Sequence, residues 1–369
     1  MKTLSKYKLF DRKEGCSLIV KPQYVPFRLL ADQALLDHLP RGIPEHATIE
    51  DDLARAQAGW RGEQELAFRL SMFPDESVRI FYDLGLSTLH NTFQIDAFLL
   101  TQRFAACLEA KNYSGTLTFL PDGQLIRTLG NRREGLRNPL IQVQRHVSLL
   151  THWIAARQFP KLAVKPRVAI ANNATMIENP SHLQNVATCV THAEQIPSHI
   201  SRLIQELPQQ LTSEKLLQIE QQLLAAHADS VPNVFAQFKI DPQTVRRGVR
   251  CPRCKGYTMK RAFATWHCVQ CGATDRTAHI PMILDYFLLF GPTMTNEQCR
   301  WFLKVEDRKL IRNLLIKMNF NPVGKGTGQG LYYERPAHKI YHDYYVSNKN
   351  RNEPWNHKYP VITSSIRKS

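Results

Sequence analysis

The chain lacks several features that would set its class at once. No window approaches the ~20 consecutive apolar residues of a membrane span. The opening MKTLSKYKLFDRKEG holds no apolar signal core. The expectation is a cytoplasmic protein with no membrane partner. Eight cysteines in 369 residues are too few for a disulfide scaffold. No internal repeat is visible. Acidic residues are scarce in one region only: residues 246–369 carry 22 Lys and Arg against 8 Asp and Glu, whereas the first 245 carry 26 against 24. Nearly all of the formal net charge of +16 therefore lies in the last third. A basic module joined to a near-neutral one points to a polyanionic partner; the alternative is a basic surface that engages nothing. What is present, 43% hydrophobic and 22% charged residues, is a globular composition long enough for two or more cores.

Residues 1–58 read as a lead segment, with an extended KPQYVPFRLL and short helical patterns in ALLDHL and IEDDLARAQAG. From Gly59, GWRGEQELAFRL places apolar residues at 66, 67 and 70, a helical spacing. Five strands follow: 78–86, 92–100, 104–113, 115–119 and 123–130. In TFQIDAFLL (92–100), Phe93, Ile95, Ala97 and Leu99 alternate with Gln94, Asp96, Phe98 and Leu100. Residues 138–158 form a helix with Asn138 as N-cap and Pro139 in the first turn. PRVAIANN (166–173) is a buried type of strand. Helix, strands, helix, strand is the order of an α/β fold with a mixed sheet. The remainder divides into a helical connecting region (176–245), a cysteine module (246–276), a basic helical module (277–340) and a loose tail (341–369).

The stretch LEAKNYSG (108–115) places Glu109 and Lys111 two apart at the end of an apolar strand, hence on one face. An ion pair at a strand end is the plain explanation. A hairpin, however, brings Asp96 of the preceding strand beside them. Two carboxylates suit Mg²⁺ or Mn²⁺, which retains waters and takes its other ligands from phosphate. The Ala110 carbonyl is a further candidate ligand, and Lys111 is placed to orient a water or offset charge on phosphorus. Three such groups on apolar strands are costly unless paired or metal-bound.

The ordered blocks around this set resemble the nuclease-related domain (NERD) family, within the PD-(D/E)xK restriction-endonuclease-like superfamily. They are Gly59, Gly62 and Glu63; Gln94, Ile95 and Asp96; Glu109 and Lys111 through Gly115; and Asn138, Pro139, Gln142 and His146. The resemblance covers about 59–175 and implies a restriction-endonuclease-like core. It further implies Asp96, Glu109 and Lys111 as catalytic core, Glu63 as an outer metal or water ligand and Gln142 as a supporting residue. Ile95 stands where the superfamily name has proline. Glu63 reads equally as a helix N-terminal acid, and Gln142 and Asn138 as cap and packing residues; His146 reads as a packing histidine.

Cys251-x2-Cys254 and Cys268-x2-Cys271 are separated by thirteen residues. Two such knuckles on a hairpin resemble a zinc ribbon, a closed tetrahedral Zn²⁺ site; a redox dithiol would need only one CxxC, at a helix start. Arg253, Lys255, Lys260 and Arg261, interleaved with Tyr257, Phe263 and Trp266, either contact nucleic acid or surround a thin aromatic core. Cys16, Cys107, Cys189 and Cys299 read as inert thiols. Beyond residue 280, three helices and a Gly-rich turn between short strands follow the order of a winged helix-turn-helix, which would carry Arg308, Lys309, Arg312 and Lys317 on its third helix and Lys325 at the wing tip. A protein-docking unit is the alternative. The combined expectation is a Mg²⁺-dependent nuclease directed to nucleic acid, DNA before RNA, by its zinc-ribbon and winged-helix-like modules. A non-catalytic nucleic-acid-binding protein and an interaction scaffold are the competing readings.

Overall fold

A computed structural model of the protein describes residues 18–324 and 330–352. Cys16 and Lys325 lie outside the described residues. The chain forms two compact units, one from residues 18–23 and 58–229, the other from 24–57 and 230–352. Among the described residues no helix is long and apolar enough to cross a membrane.

The first unit is built on strand β1 (Leu18–Lys21), then, after α1 (Phe27–His38) of the other unit, on α2 (Glu45–Ser71) from residue 58 onward. Strands β2 (Arg79–Ser87), β3 (Thr92–Leu100), β4 (Ala105–Lys111), β5 (Thr116–Phe119), β6 (Leu125–Leu129) and β7 (Arg132–Leu136) come next. After them run α3 (Pro139–Ala155), β8 (Val164–Ile170), β9 (Met176–Glu178), α4 (Gln184–Cys189), β10 (Val190–His192), α5 (Ile196–Glu206) and α6 (Ser213–Ala226). The main sheet is mixed and six-stranded, in the order β1-β2-β3-β4-β8-β10. Its antiparallel core is β2-β3-β4, and β1, β8 and β10 join their neighbours in parallel. Leu66 and Leu70 of α2 and Ile196, Ile200 and Leu203 of α5 pack in one apolar cluster. Leu140, Val143, Leu150 and Trp153 of α3 and Leu216, Ile219 and Leu223 of α6 pack in another. Helices therefore bury their apolar stripes on both faces of the sheet, the α/β architecture that the element order implies.

Three features depart from the sequence reading. The helix expected from Gly59 begins at Glu45 and runs unbroken through 58/59 to Ser71. The strands β5 and β6 leave the main sheet and form a second one, β7-β6-β5-β9, whose edge strand β7 is the polar RREGL. The region from 176 is also not purely helical: three-residue β9 and β10 each complete a sheet. Strands that short carry no period to read.

The second unit contains α1, α7 (Val234–Phe238), β11 (Met259–Ala262), β12 (Thr265–Cys268), β13 (Thr274–Asp275), α8 (His279–Leu289), β14 (Thr293–Thr295), α9 (Asn296–Leu303), α10 (Arg308–Lys317), β15 (Tyr332–Glu334) and α11 (His338–Asn352). Residues expected in the lead segment and the loose tail belong to its core. Buried His38 of α1 lies 3.2 Å from Asp285 of α8 and 2.8 Å from the Arg246 carbonyl. Tyr341 of α11 is fully buried, and the His338 ring stacks on Phe27 at 3.9 Å. Tyr and His each bring an apolar body with a polar tip, so a segment rich in them packs without an aliphatic stripe. The helix α9 carries a reciprocal capping box between Thr295 and Gln298. The strands β14 and β15 pair antiparallel around the α9–α10 pair, and Val323 bridges to Tyr332.

Candidate functional site

The centre of the first unit is a defect shared by two strands. Ile80 and Tyr82 pack on the α2 side of the sheet, yet Leu84 and Leu86 pack on the α3 side. Phe93 and Ile95 lie on the α3 side, yet Ala97 and Leu99 on the α2 side. An unbroken strand cannot do this, because its side chains alternate with period two. The alternation slips at Asp83, whose φ is +51°, and at Asp96, and the ladder pairs Tyr82–Ala97 and Leu84–Ile95 set these two residues opposite each other. The single regular alternation expected for 92–100 is thus corrected: Asp96 is where it changes face.

The pairing of β3 with β4 ends at Ala97–Leu108. Beyond it, the Ala110 N–H donates to Asp96 Oδ2 at 2.8 Å, so a carboxylate stands in for a ladder carbonyl. The ladder stops there, and Glu109 and Lys111, two apart on β4, share the face that meets α3. Lys111 Nζ donates to Glu109 Oε1 at 2.5 Å, and Glu109 is 1% exposed. Ala110, read as a carbonyl ligand, contributes its N–H to this arrangement.

Three further residues come from the flanking helices. Glu63 of α2 has a buried Oε2 with no hydrogen-bond partner. The approach of α2 requires Gly62: a Cβ there would lie 2.9 Å from Asn112 Cβ. Asn112 in turn donates to the Ala58 carbonyl at 2.9 Å. From α3, Gln142 lies close enough to Glu109 to favour its charged form. His146, one turn on, is buried with Nδ1 3.7 Å from Glu109 Oε2. Asn138 is a cap: its Oδ1 accepts from Leu140 N at 2.9 Å and its Nδ2 donates to the Gly123 carbonyl at 2.9 Å. The NYSG turn after Lys111 is structural at Gly115, where φ is +88° and a Cβ would meet the Thr128 carbonyl at 2.2 Å.

The electrostatics are those of crowded acids. Burial, then Asp83, Asp96 and Glu109, push Glu63 well above the carboxylate range. Burial raises Asp96 against the pull of Lys111 and the Ala110 N–H. Glu109 is pushed up to about 8 by burial and Asp96, opposed by Lys111 and Gln142. Lys111 is itself desolvated, but Glu109 and Asp96 outweigh that and raise it. Burial takes His146 down to about 4, so it is neutral at pH 7. One lysine thus faces several carboxylates in a poorly hydrated site, an imbalance a cation would relieve. The donors are hard oxygens, as Mg²⁺ or Mn²⁺ requires, and orphaned Glu63 Oε2 fits the same role.

Residues 58–171 match the family model of the nuclease-related domain, NERD. That makes this segment nuclease-related. No curated protein and no solved structure matches the chain. Every acidic and helical site residue above lies within the NERD segment. Asp83 also lies in it, and sequence reading missed it because it interrupts an apolar run without a motif; the φ above zero is visible only in the fold. Nearby, Lys21 is buried with Nζ 2.7 Å from the Tyr82 carbonyl, and burial lowers its pKa despite Asp83 and Asp229. His146 had a legible signal, its i+4 spacing from Gln142 on one helix face.

Outside the NERD segment, Cys251, Cys254, Cys268 and Cys271 bring their sulfurs within 4.8 Å of one another. Among the described residues this is the one group of three or more His, Cys, Asp or Glu whose ligand atoms come that close; the acids of the NERD segment stand further apart. Two matching knuckles build it. Lys255 N donates to the Cys251 carbonyl and Gly272 N to the Cys268 carbonyl, each at 3.0 Å, and both donors have left-handed backbone, at +61° and +71°. The Thr258 hydroxyl, 3.2 Å from Cys268 Sγ, helps hold that thiol down at about 6. Four converging sulfurs with hydroxyl and amide donors around them fit a soft tetrahedral ion such as Zn²⁺.

Of the basic residues singled out for nucleic acid, Arg253, Lys255, Lys260, Arg308, Lys309, Arg312 and Lys317 are exposed. Arg261 is not: its guanidinium lies 5.2 Å over the ring of Trp266, which is 1% exposed and donates its Nε1–H to His279 Nδ1 at 3.1 Å. Tyr257 is likewise tied down, its hydroxyl donating to the Asp37 carbonyl at 2.8 Å. Phe263 is fully exposed at the hairpin tip, where it and Ala264 have φ of +44° and +62°.

Proposed function

We propose that the protein is a metal-dependent nuclease that hydrolyses phosphodiester bonds of nucleic acid, with its basic modules holding the substrate. The observation that carries this is the end of the β3–β4 ladder, where Asp96, Glu109 and Lys111 meet inside a nuclease-related segment. Asp96 and Glu109, with Glu63 and the Ala110 backbone, are the groups that would hold Mg²⁺ or Mn²⁺. When bound, such an ion supplies Lewis acidity and a more acidic water. Lys111 orients the attacking water and offsets charge at phosphorus. Gln142 and neutral His146, both on α3, flank the Glu109 carboxylate and orient it.

Substrate binding falls to the second unit. Zn²⁺ at the four cysteines holds the ribbon that displays Arg253, Lys255 and Lys260. Phe263 gives that ribbon an exposed ring on which a base can stack. The α9–α10 pair with β14 and β15 acts as a winged-helix-like module, and Arg308, Lys309, Arg312 and Lys317 of α10 reach phosphates or guanine edges. A helix of this kind suits the major groove of a duplex, which favours DNA over RNA.

One observation favours a second reading. Lys111 is already paired with Glu109 at 2.5 Å, as in a closed ion-pair cluster. On that reading the domain binds nucleic acid without cutting it. A single assay separates the two: plasmid, linear duplex, single-stranded DNA and RNA are incubated with Mg²⁺, Mn²⁺ or EDTA, using wild type and Glu109→Ala/Lys111→Ala. Metal-dependent cutting absent from the double variant supports the nuclease. Salt-sensitive retention without cutting supports the binding protein.

A further inference from the structure

The second unit contains a cleft of about 300 Å³ beside the four-cysteine cluster, with Cys254 in its wall and the NERD segment taking no part in it. Asp37 from the end of α1, Arg41 and His46 after it, Arg246 and Arg250 before the first knuckle, and Lys255 within it all line this cleft. Four cations thus face one carboxylate. That carboxylate is already engaged, since Arg250 Nη1 lies 2.5 Å from Asp37 Oδ2.

Two of the guanidiniums, those of Arg246 and Arg250, are held in place. Arg246 Nη2 donates to the Asp37 carbonyl at 2.9 Å, and its planar group lies 5.0 Å over the Tyr257 ring. Yet Nε of Arg246, Nε of Arg250 and Nε2 of His46 are buried with no hydrogen-bond partner. Buried donors without acceptors are rare in folded proteins and call for an explanation. Lys255 is fixed by its knuckle, with its N–H on the Cys251 carbonyl at 3.0 Å and φ of +61°. The part of the wall made by Arg246 and Arg250 is therefore pre-set, and the whole wall is positive.

We infer that this cleft binds a phosphate group. A phosphate ester carries several acceptor oxygens on one centre and matches paired guanidiniums better than a single carboxylate does. The volume admits the phosphate with part of its ester. The assignment does not depend on the NERD segment cutting anything. A nucleic-acid phosphate and a free phosphorylated small molecule share this chemistry, and the test distinguishes them.

The zinc-loaded full chain is titrated at low salt with inorganic phosphate, adenosine 5′-monophosphate and a short single-stranded oligonucleotide. Arg41→Glu, His46→Ala and the double variant are titrated in parallel. These positions are chosen because Arg246 and Arg250 also bond Asp37 and could carry the fold with them. Unchanged zinc content and melting midpoint confirm that the variants are folded. The expected result is a loss of affinity of about tenfold or more in the double variant, with the slope of log K against log[salt] reduced by about one in Arg41→Glu. Loss confined to the oligonucleotide identifies a nucleic-acid phosphate. Loss for phosphate or the mononucleotide identifies a small-molecule site. The inference is overturned if wild type binds none of the three probes, or if the folded double variant binds all that wild type binds with equal affinity.

Discussion

Two glycines three residues apart in α2 offer a sharp test of how the site is assembled. In a helix interior, Gly→Ala normally stabilises by ~1 kcal/mol through backbone entropy. At Gly59 an added Cβ meets nothing within 4 Å, so Gly59→Ala should show that full gain. At Gly62 the same atom would lie 2.9 Å from Asn112 Cβ, 3.3 Å from Asn112 N and 3.6 Å from Ala171 Cβ. Asn112 yields poorly: it directly follows β4, and its amide holds the Ala58 carbonyl at 2.9 Å. Overpacking of this kind costs ~1–3 kcal/mol. The net for Gly62→Ala is therefore ~0–2 kcal/mol of destabilisation, and the two variants should differ by ~1–3 kcal/mol. For a unit of this size each kcal/mol is worth ~2–4 °C in melting midpoint. Parallel urea and thermal unfolding measure the difference. Because Glu63 adjoins the clash, Gly62→Ala should also lose cleavage while Gly59→Ala retains it. If Gly62→Ala is stabilised as much as Gly59→Ala, the close approach of α2 to Asn112 is wrong, and with it the placement of Glu63.

Three other outcomes are expected. Asp96→Asn should abolish cleavage while keeping or raising nucleic-acid affinity, since a negative charge is lost and an oxygen remains for the Ala110 N–H. Asp96→Ala leaves that N–H unpaired and should cost a further ~1–3 kcal/mol by urea unfolding; an Asn variant that cuts like wild type sinks the site assignment. Chelation should remove one zinc per chain by elemental analysis, expose Trp266 with a red shift of its emission, and weaken nucleic-acid binding; unchanged emission after complete zinc removal counts against a structural metal. Asp32 of α1 is fully buried with both carboxylate oxygens unpartnered, and burial, then Asp52, raise it from 3.8 to about 7 against the pull of Arg28. Its folded form holds a proton that the unfolded chain has released between pH 4 and 7, so wild-type stability falls as pH rises through that window. Asp32→Asn should therefore match wild type near pH 4 and exceed it by ~2–4 kcal/mol at pH 8; urea midpoints that stay parallel across this range refute the shift.

The parts of the fold that sequence reading captured are those encoded locally. Strand β3 spans 92–100 as its composition indicates, and Asn138 caps α3 as its position before Pro139 indicates. The cysteines converge because each CxxC folds its own knuckle. Other features had no local signature. Asp83 looks like one polar residue in RIFYDLGLS, yet it shifts the face of every side chain after it. Gly59 and Gly62 resemble a helix start, yet the helix begins well before them because flanking residues bury their own stripe. The segment around Tyr341 reads as loose because its anchoring comes from rings packed across long sequence separations, Phe27 among them.

By itself, the sequence determined the α/β class, the NERD segment with Asp96, Glu109 and Lys111 in it, the four-cysteine cluster and the basic last third. The class, the cysteine cluster and the basic third are matters of periodicity, spacing or charge, and the NERD segment is a matter of resemblance to a family's ordered motif blocks; none of these needs a partner strand. Tertiary structure alone decided that the β3–β4 ladder ends at Ala97–Leu108, that Asp83 joins the acids there, that Arg261 lies over Trp266 rather than in solvent, and that Arg41, Arg246 and Arg250 share one cleft. These depend on which backbone groups find partners and which guanidiniums meet across some two hundred residues. That information is absent from any local pattern and arises only when the chain has closed on itself.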